Sequence, residues 1–147
     1  MNCLSFYRSE EARKAGVKLG VPRPSDAGFD IPCLMDVELK PRAVTLVQTG
    51  IHLGIPSGWV GIVKDRSSVA MKGVTTLAGV IDASYRGELK VAMFNLTDEV
   101  KTFKCGERIA QLVVVQHLEG GGCEEVEELG SLGETERGSG GFGSTGK

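Results

Sequence analysis

The chain has little of what builds metal cages or disulfide frameworks. It holds four cysteines and two histidines in 147 residues. Cys3, Cys33, Cys105 and Cys123 stand far apart, no C-x-x-C pair occurs, and neither His52 nor His117 flanks a cysteine. Zinc-finger spacing and a stapled secreted scaffold are therefore excluded as readings, and a reducing, cytoplasmic compartment is expected. No apolar run reaches membrane length, and the start MNCLSFYRSEEARK lacks the apolar core of a signal peptide, so no membrane partner is expected. Lys and Arg number 17 against 19 Asp and Glu. That lacks the basic excess of a nucleic-acid binder, and no nucleic-acid partner is expected. Aromatic residues are only 5% of the chain, so the few that stand in polar surroundings, such as Tyr85 and Phe142, draw notice.

What is present fits one globular domain: hydrophobic residues make 41% and charged residues 24%. The charge is uneven. Residues 1–118 carry 15 basic and 12 acidic side chains, whereas residues 119–136 carry seven glutamates and no lysine or arginine. A mildly basic body with an anion-binding pocket is compatible with that balance.

Strand signals dominate the body: VTLVQTGIHLGI (Val44–Ile55), WVGIV (Trp59–Val63), LKVAMFNL (Leu89–Leu96) and RIAQLVVVQ (Arg108–Gln116). Turn signals separate them at Lys40-Pro41, Pro56-Ser57-Gly58, Arg86-Gly87 and Cys105-Gly106-Glu107. Many short strands at modest spacing predict an all-β sandwich or barrel. Ser9–Gly16 predicts one or two helical turns, capped by Ser9 with Glu10 and Lys14 paired four apart. Ser67–Gly73 predicts another, capped by Ser67 or Ser68 and stopped by Gly73. From Gly120 onward large apolar residues thin out and glycines accumulate. We read a β-rich body over residues 1–119, an acidic linker over 120–136 and a glycine-rich arm over 137–147, mobile until it binds something.

The arm, RGSGGFGSTGK, contains G-x-x-x-x-G-K, most of a Walker A loop. No Ser or Thr follows Lys147 to meet a magnesium ion, and no helix follows it in this sequence, so the ATPase-fold reading fails. The composition still suits an anion. Five glycines in residues 138–146 let backbone N–H groups turn inward. Ser144 and Thr145 add hydroxyls, Arg137 adds a guanidinium, and Phe142 offers a base a stacking face. A floating lid for a nucleoside triphosphate and a plain disordered tail both fit.

Three further clusters bear on that choice. KDRSSVAMKG puts Arg66, Ser67 and Ser68 at a helix start, where N–H groups, hydroxyls and a guanidinium suit phosphate. GVIDASYRGEL places Asp82 after a strand end and Tyr85 three residues on. An aspartate there could serve as general base for water, with the tyrosine ring flat under a sugar, or both could be ordinary hairpin residues. SDAGFDIP offers Asp26 and Asp30 around Gly28, either of which could hold magnesium-bound water or sit in a plain turn. Gln111 is a strand amide that either finds backbone partners or donates to a ligand. His52 and His117 read as structural or exposed.

Taken in order, DAGFD, PSGWVGIVKDRSS, GVIDASYRGEL, GERIAQL and RGSGGFGSTG resemble the five motifs of the trimeric dUTPases, over residues 26 to 146. The resemblance implies a distorted jelly-roll-like β-barrel with one short helix and a mobile C-terminal arm. It implies a homotrimer with sites shared between subunits, and hydrolysis of dUTP to dUMP and pyrophosphate with Mg2+. Asp82 matches the aspartate that activates water, Tyr85 the residue packing on deoxyribose, and Asp30 the carboxylate beside the magnesium's water shell. Arg66, Ser67, Ser68 and Gln111 match phosphate contacts. The backbone at Gly79 and Lys90 matches the hairpin that reads uracil. Arg137 would meet the γ-phosphate and Phe142 would cover the base, within an arm whose Gly140, Gly141, Gly143, Ser144 and Thr145 wrap the phosphates. Two positions depart from the pattern. Thr76 stands where many relatives carry a uracil-reading asparagine, and Asp65 stands before Arg66 where they carry a small residue or proline; we expect Asp65 to turn away from phosphate. The rivals are a dCTP deaminase of the same fold, and a silent nucleotide-binding trimer, which should have lost Asp82, Arg66 or the arm.

Overall fold

The computed structural model describes residues 3–120, 122–137 and 139. They fall into two units that part after His117, and each is described by itself.

The first unit runs β1 (Ser5–Arg8), α1 (Glu10–Lys14), β2 (Gly28–Pro32), β3 (Val37–Leu39), β4 (Val44–Val47), β5 (Ile51–Gly54), β6 (Trp59–Lys64), α2 (Ser67–Ala70), β7 (Val74–Leu77), β8 (Val80–Ile81), β9 (Val91–Asn95), β10 (Lys101–Phe103) and β11 (Arg108–Gln116). The strands form sheets ordered β2-β11-β6-β8, β4-β9-β7, β1-β5 and β3-β10. Every strand pairing is antiparallel, and most join strands far apart in the chain. The fold is all-β and jelly-roll-like, with two short α-helices at the two segments read as helical, where the family resemblance implied one.

Alternation sets which face is inside. In β9, Val91, Met93 and Asn95 are buried while Ala92 and Phe94 are half-buried. In β11, Ile109, Ala110 and Leu112 are fully buried against Ile31, Leu39, Val63 and Phe103. Each such Ile or Leu contributes roughly 1.5–3 kcal/mol relative to an exposed side chain. Asn95 is the polar exception in the core. Its amide donates to the carbonyls of Leu39 (3.0 Å) and Glu99 (2.8 Å), and its oxygen accepts from the Thr97 N–H (3.0 Å) and hydroxyl (2.8 Å). Fully satisfied, it fixes how β9 meets β3 without a desolvation penalty.

Two readings need correction. The run Val44–Ile55 is two strands, because the N–H groups of Thr49 and Gly50 donate to the Glu88 carboxylate and break the ladder. Neither Ser67 nor Ser68 caps α2. Arg66 occupies the cap position in an extended conformation and no side chain caps the helix. The acidic stretch of the second unit holds a 3-10 turn at Leu129–Leu132. Ser9 behaves as read: its Oγ accepts from the Ala12 N–H at 3.2 Å, and Lys14 pairs with Glu10 at 2.7 Å. No helix among the described residues is long and apolar enough to cross a membrane.

Candidate active site

Two clefts on the first unit hold the candidate site residues, and among the described residues none lines both. One is built on the segment from Gly79 to Lys90, which holds β8 and the turn that follows it. Gly79 starts it at φ +99, and a Cβ there would lie 3.0 Å from the Val63 carbonyl oxygen. Only glycine accepts both conditions, which sets the point where β8 joins β6. Asp82 follows β8 directly and is exposed. The Tyr85 N–H donates to the Asp82 carbonyl at 3.0 Å, closing a turn. The Tyr85 ring lies over Gly87, where any side chain would collide with it, and its hydroxyl donates to the Glu88 carbonyl at 3.0 Å. The ring is thus fixed in place yet 45% exposed to a ligand.

Glu88 anchors this segment to the turn between β4 and β5. One of its carboxylate oxygens accepts the N–H groups of Thr49 (3.1 Å) and Gly50 (2.9 Å), and the other lies 3.8 Å from Lys90 Nζ. His52 Nδ1 sits 2.9 Å from the Arg86 carbonyl, a structural role. The resulting cleft, about 300 Å³, has Leu46, Val80 and Ile81 as apolar wall and Asp82, Tyr85, Glu88 and Lys90 as its polar groups.

The second cleft, about 510 Å³, is polar and includes Arg23, Asp30, Arg66, Ser67, Arg108 and Gln111. Asp30, on β2, lies between two guanidiniums. Arg66 Nε donates to its Oδ1 at 2.7 Å and an Arg108 terminal nitrogen to its Oδ2 at 3.2 Å. The strand register explains the meeting, since Arg108 opposes Pro32 and Gln111 opposes Asp30. Arg66 also reaches Ser68 Oγ (3.5 Å) and the Arg108 carbonyl (3.4 Å). Gln111 Nε2 donates to the Asp65 carbonyl at 2.8 Å. Arg23 and Asp26 pair at 3.0 Å. Three arginines against two aspartates leave the cleft positive, and α2 starts without a side-chain cap, so its first N–H groups remain for solvent or an anion.

Asp65 turns onto β7, as expected. Its Oδ1 accepts the Thr76 N–H and hydroxyl, each at 2.7 Å, and its Oδ2 the Thr75 hydroxyl at 2.8 Å. Burial would raise its pKa, but these bonds and the nearby Lys64 outweigh that and hold it below the ordinary carboxylate value.

The structure therefore gathers Asp82, Tyr85 and Lys90 in one cleft, with Gly79 just before β8, and Asp30, Arg66, Ser67 and Gln111 around the other, with Ser68 bonded to Arg66. Thr76 is bonded to Asp65. Arg137 is exposed in the second unit. Gly140, Gly141, Phe142, Gly143, Ser144 and Thr145 lie outside the described residues. Sequence reasoning missed Arg108 and Glu88. Glu88 is the one acid within two residues of Lys90, a signal visible in the sequence, whereas the link from Arg108 to Asp30 depends on the register of β11 against β2.

Comparison with known proteins identifies the pattern. The dUTPase family model matches residues 17–146. The chain is 43% identical over 126 residues to the deoxyuridine 5'-triphosphate nucleotidohydrolase of Solibacter usitatus (strain Ellin6076), covering 83% of this chain and 82% of that protein. A mutant Staphylococcus bacteriophage 80alpha dUTPase with dUpNHpp matches with TM-score 0.83 and 29% identity over 100% of both chains. A mutant dUTPase from phage phi11 of S. aureus, with a structural Mg(II) ion, matches with TM-score 0.73 and 27% identity over 88% of this chain and 99% of that one.

Proposed function

The chain belongs to the dUTPase family, and from that membership we propose that it hydrolyses dUTP to dUMP and pyrophosphate, limiting the dUTP available to DNA synthesis. The observation that carries the reading is the pair of clefts: a carboxylate and an aromatic ring on one hairpin, and a cationic basin for a polyphosphate around Arg66.

Asp82 takes a proton from a water molecule whose oxygen attacks the α-phosphorus. The bond from that phosphorus to the β-phosphate bridging oxygen breaks, and pyrophosphate leaves with the electron pair. Charge building on the leaving group is met by Arg66, Ser67 and the start of α2. Tyr85 packs against deoxyribose, where a 2'-hydroxyl would crowd the ring. The hairpin backbone from Gly79 to Lys90 faces the base.

No group of three or more His, Cys, Asp or Glu side chains among the described residues could cage a metal ion. Asp30 nonetheless retains lone pairs beyond its two arginine bonds, which suits an outer-shell role. Mg2+, which keeps several of its waters, would be held by substrate phosphates with Asp30 accepting from those waters, and would add Lewis-acid neutralisation of the phosphates.

No described residue lines both clefts, an arrangement that suits sites completed by a neighbouring copy. The outer face of β4-β9-β7 supplies an apolar surface for one: Val44 opposes Phe94, and Leu46 and Leu77 flank Ala92. Val44, Leu46 and Leu77 are 56%, 61% and 41% exposed. The reading is a homotrimer in which residues 120–136 tether an arm, 137–147, that closes over the nucleotide. Arg137 would meet the γ-phosphate and Phe142 the base. Pyrophosphate release measured across the four deoxynucleoside triphosphates and UTP tests the function. Release from dUTP far above the others is expected, and equal rates or none would overturn it.

A further inference from the structure

Resting on that reading, the inference concerns a carboxylate beside the phosphate basin that takes no part in the reaction. Asp65 immediately precedes Arg66, and pointed into the basin it would repel a triphosphate. It is instead held by three donors, all from β7: the Thr76 N–H and hydroxyl at 2.7 Å and the Thr75 hydroxyl at 2.8 Å. β7 is the edge of its sheet, so the outward N–H of Thr76 has no strand partner, and Asp65 takes it. β7 itself is firmly seated, with Thr75 opposite Phe94 and Thr76 opposite buried Met93. β-branched threonines there hold stiff rotamers, so the hydroxyls are placed in advance. The same residue's carbonyl accepts Gln111 Nε2 at 2.8 Å, which ties it to β11 as well. Asp65 thus joins the end of β6 to two sheets at the point where the chain enters the Arg66 turn.

We propose that Asp65, Thr75 and Thr76 form a latch that keeps this carboxylate out of the phosphate basin and fixes Arg66 toward the anion. Asp65 is a positioning residue, and the two threonines exist at these positions to mask it.

The test is a double-mutant cycle on the full chain. Parent, Thr75→Val/Thr76→Val, Asp65→Ala and the triple variant are compared for the Kd of inorganic pyrophosphate and for KM and kcat on dUTP. With Asp65 present, losing both hydroxyls should weaken pyrophosphate binding and raise KM about tenfold, the scale of a hydrogen-bonded charge set loose. In that variant kcat should stay within about twofold, because the loss falls on ground-state and transition-state binding alike. With Asp65→Ala, the same threonine changes should alter either constant by less than about twofold, since nothing remains to mask. Equal losses in both backgrounds, or no loss with Asp65 present, would overturn the latch. Should the double valine variant not fold, Asp65→Asn and Asp65→Glu decide. The amide keeps an acceptor for Thr76 and should bind pyrophosphate like the parent, whereas the longer acid should lose the register and bind more weakly. Equal weakening by both overturns the proposal. A parent that bound pyrophosphate yet left dUTP intact would refute the hydrolase reading and leave the binding cycle fully readable.

Discussion

Asp82 bears the chemical burden in this reading, and its surroundings show how a single side chain is readied. It hangs from a turn closed by its own carbonyl, in a segment that Glu88 ties to Thr49 and Gly50. Substituting Asp82→Asn keeps shape and removes the base. Turnover should fall by roughly two to four powers of ten while dUTP binding persists, measured by pyrophosphate release beside calorimetric binding. Turnover at the parent rate would remove Asp82 from its role. The latch residue gives a second prediction, in pH. Asp65 titrates below its unfolded value of roughly 3.9. Its stabilisation is therefore complete above that value and fades as pH falls through the lower folded one. The gap in Tm between parent and Asp65→Asn should be widest near pH 6 and shrink toward pH 3. Asp36, bonded by Lys104, and Asp98, bonded by Arg42, are lowered too and act in the same direction. Only the difference between the two proteins isolates Asp65. A gap that widens with acid would contradict the sign. At this scale the sequence was informative where chemistry needs a fixed order of residue types, as in GVIDASYRGEL. It was silent on Arg108, because the link to Asp30 depends on how β11 registers against β2.

Two short helices with similar-looking starts do different work. Ser9 caps α1 through its hydroxyl, and α1 presses fully buried Ala12 against the body. Ser67 sits inside α2 rather than before it, beside the cationic basin. Ser9→Ala should therefore lower unfolding free energy by about 1 kcal/mol and leave KM unchanged. Ser67→Ala should shift stability by less than about 0.5 kcal/mol and raise KM for dUTP. Chemical denaturation and steady-state kinetics on both variants read the contrast, and the opposite pattern would reassign the two serines. Element legibility followed length. The nine residues of β11 appear at the bounds read from composition, and β6 extends its reading by one residue, to Lys64. Strands β1, β3 and β10 hold three or four residues each and owe their existence to distant partners, as when Ser5 meets Gly54. No local window contains that information. Val44–Ile55 misled because its apolar pattern runs through Thr49-Gly50, where the Glu88 carboxylate takes the backbone donors.

For the whole molecule the question is whether one substrate draws on one chain or several. Among the described residues none lines both the cleft holding Asp82 and the basin holding Arg66, and the β4-β9-β7 sheet offers an apolar outer face to a neighbour. Mixing decides the matter. Asp82→Asn and Arg66→Ala are each expected to be nearly inactive as pure proteins. If each site takes its hairpin from one subunit and its basin from the next, a hybrid trimer contains sites where an intact Asp82 faces an intact Arg66. Random assembly from equal amounts, after unfolding and refolding together, would restore about one quarter of the sites. If both groups come from the same chain, every site in every hybrid keeps one lesion and nothing is restored. Recovered turnover near a quarter of the parent's, absent when the two variants are mixed without exchange, establishes shared sites. No recovery in verified hybrids would confine catalysis to single chains and leave the apolar face without a catalytic purpose.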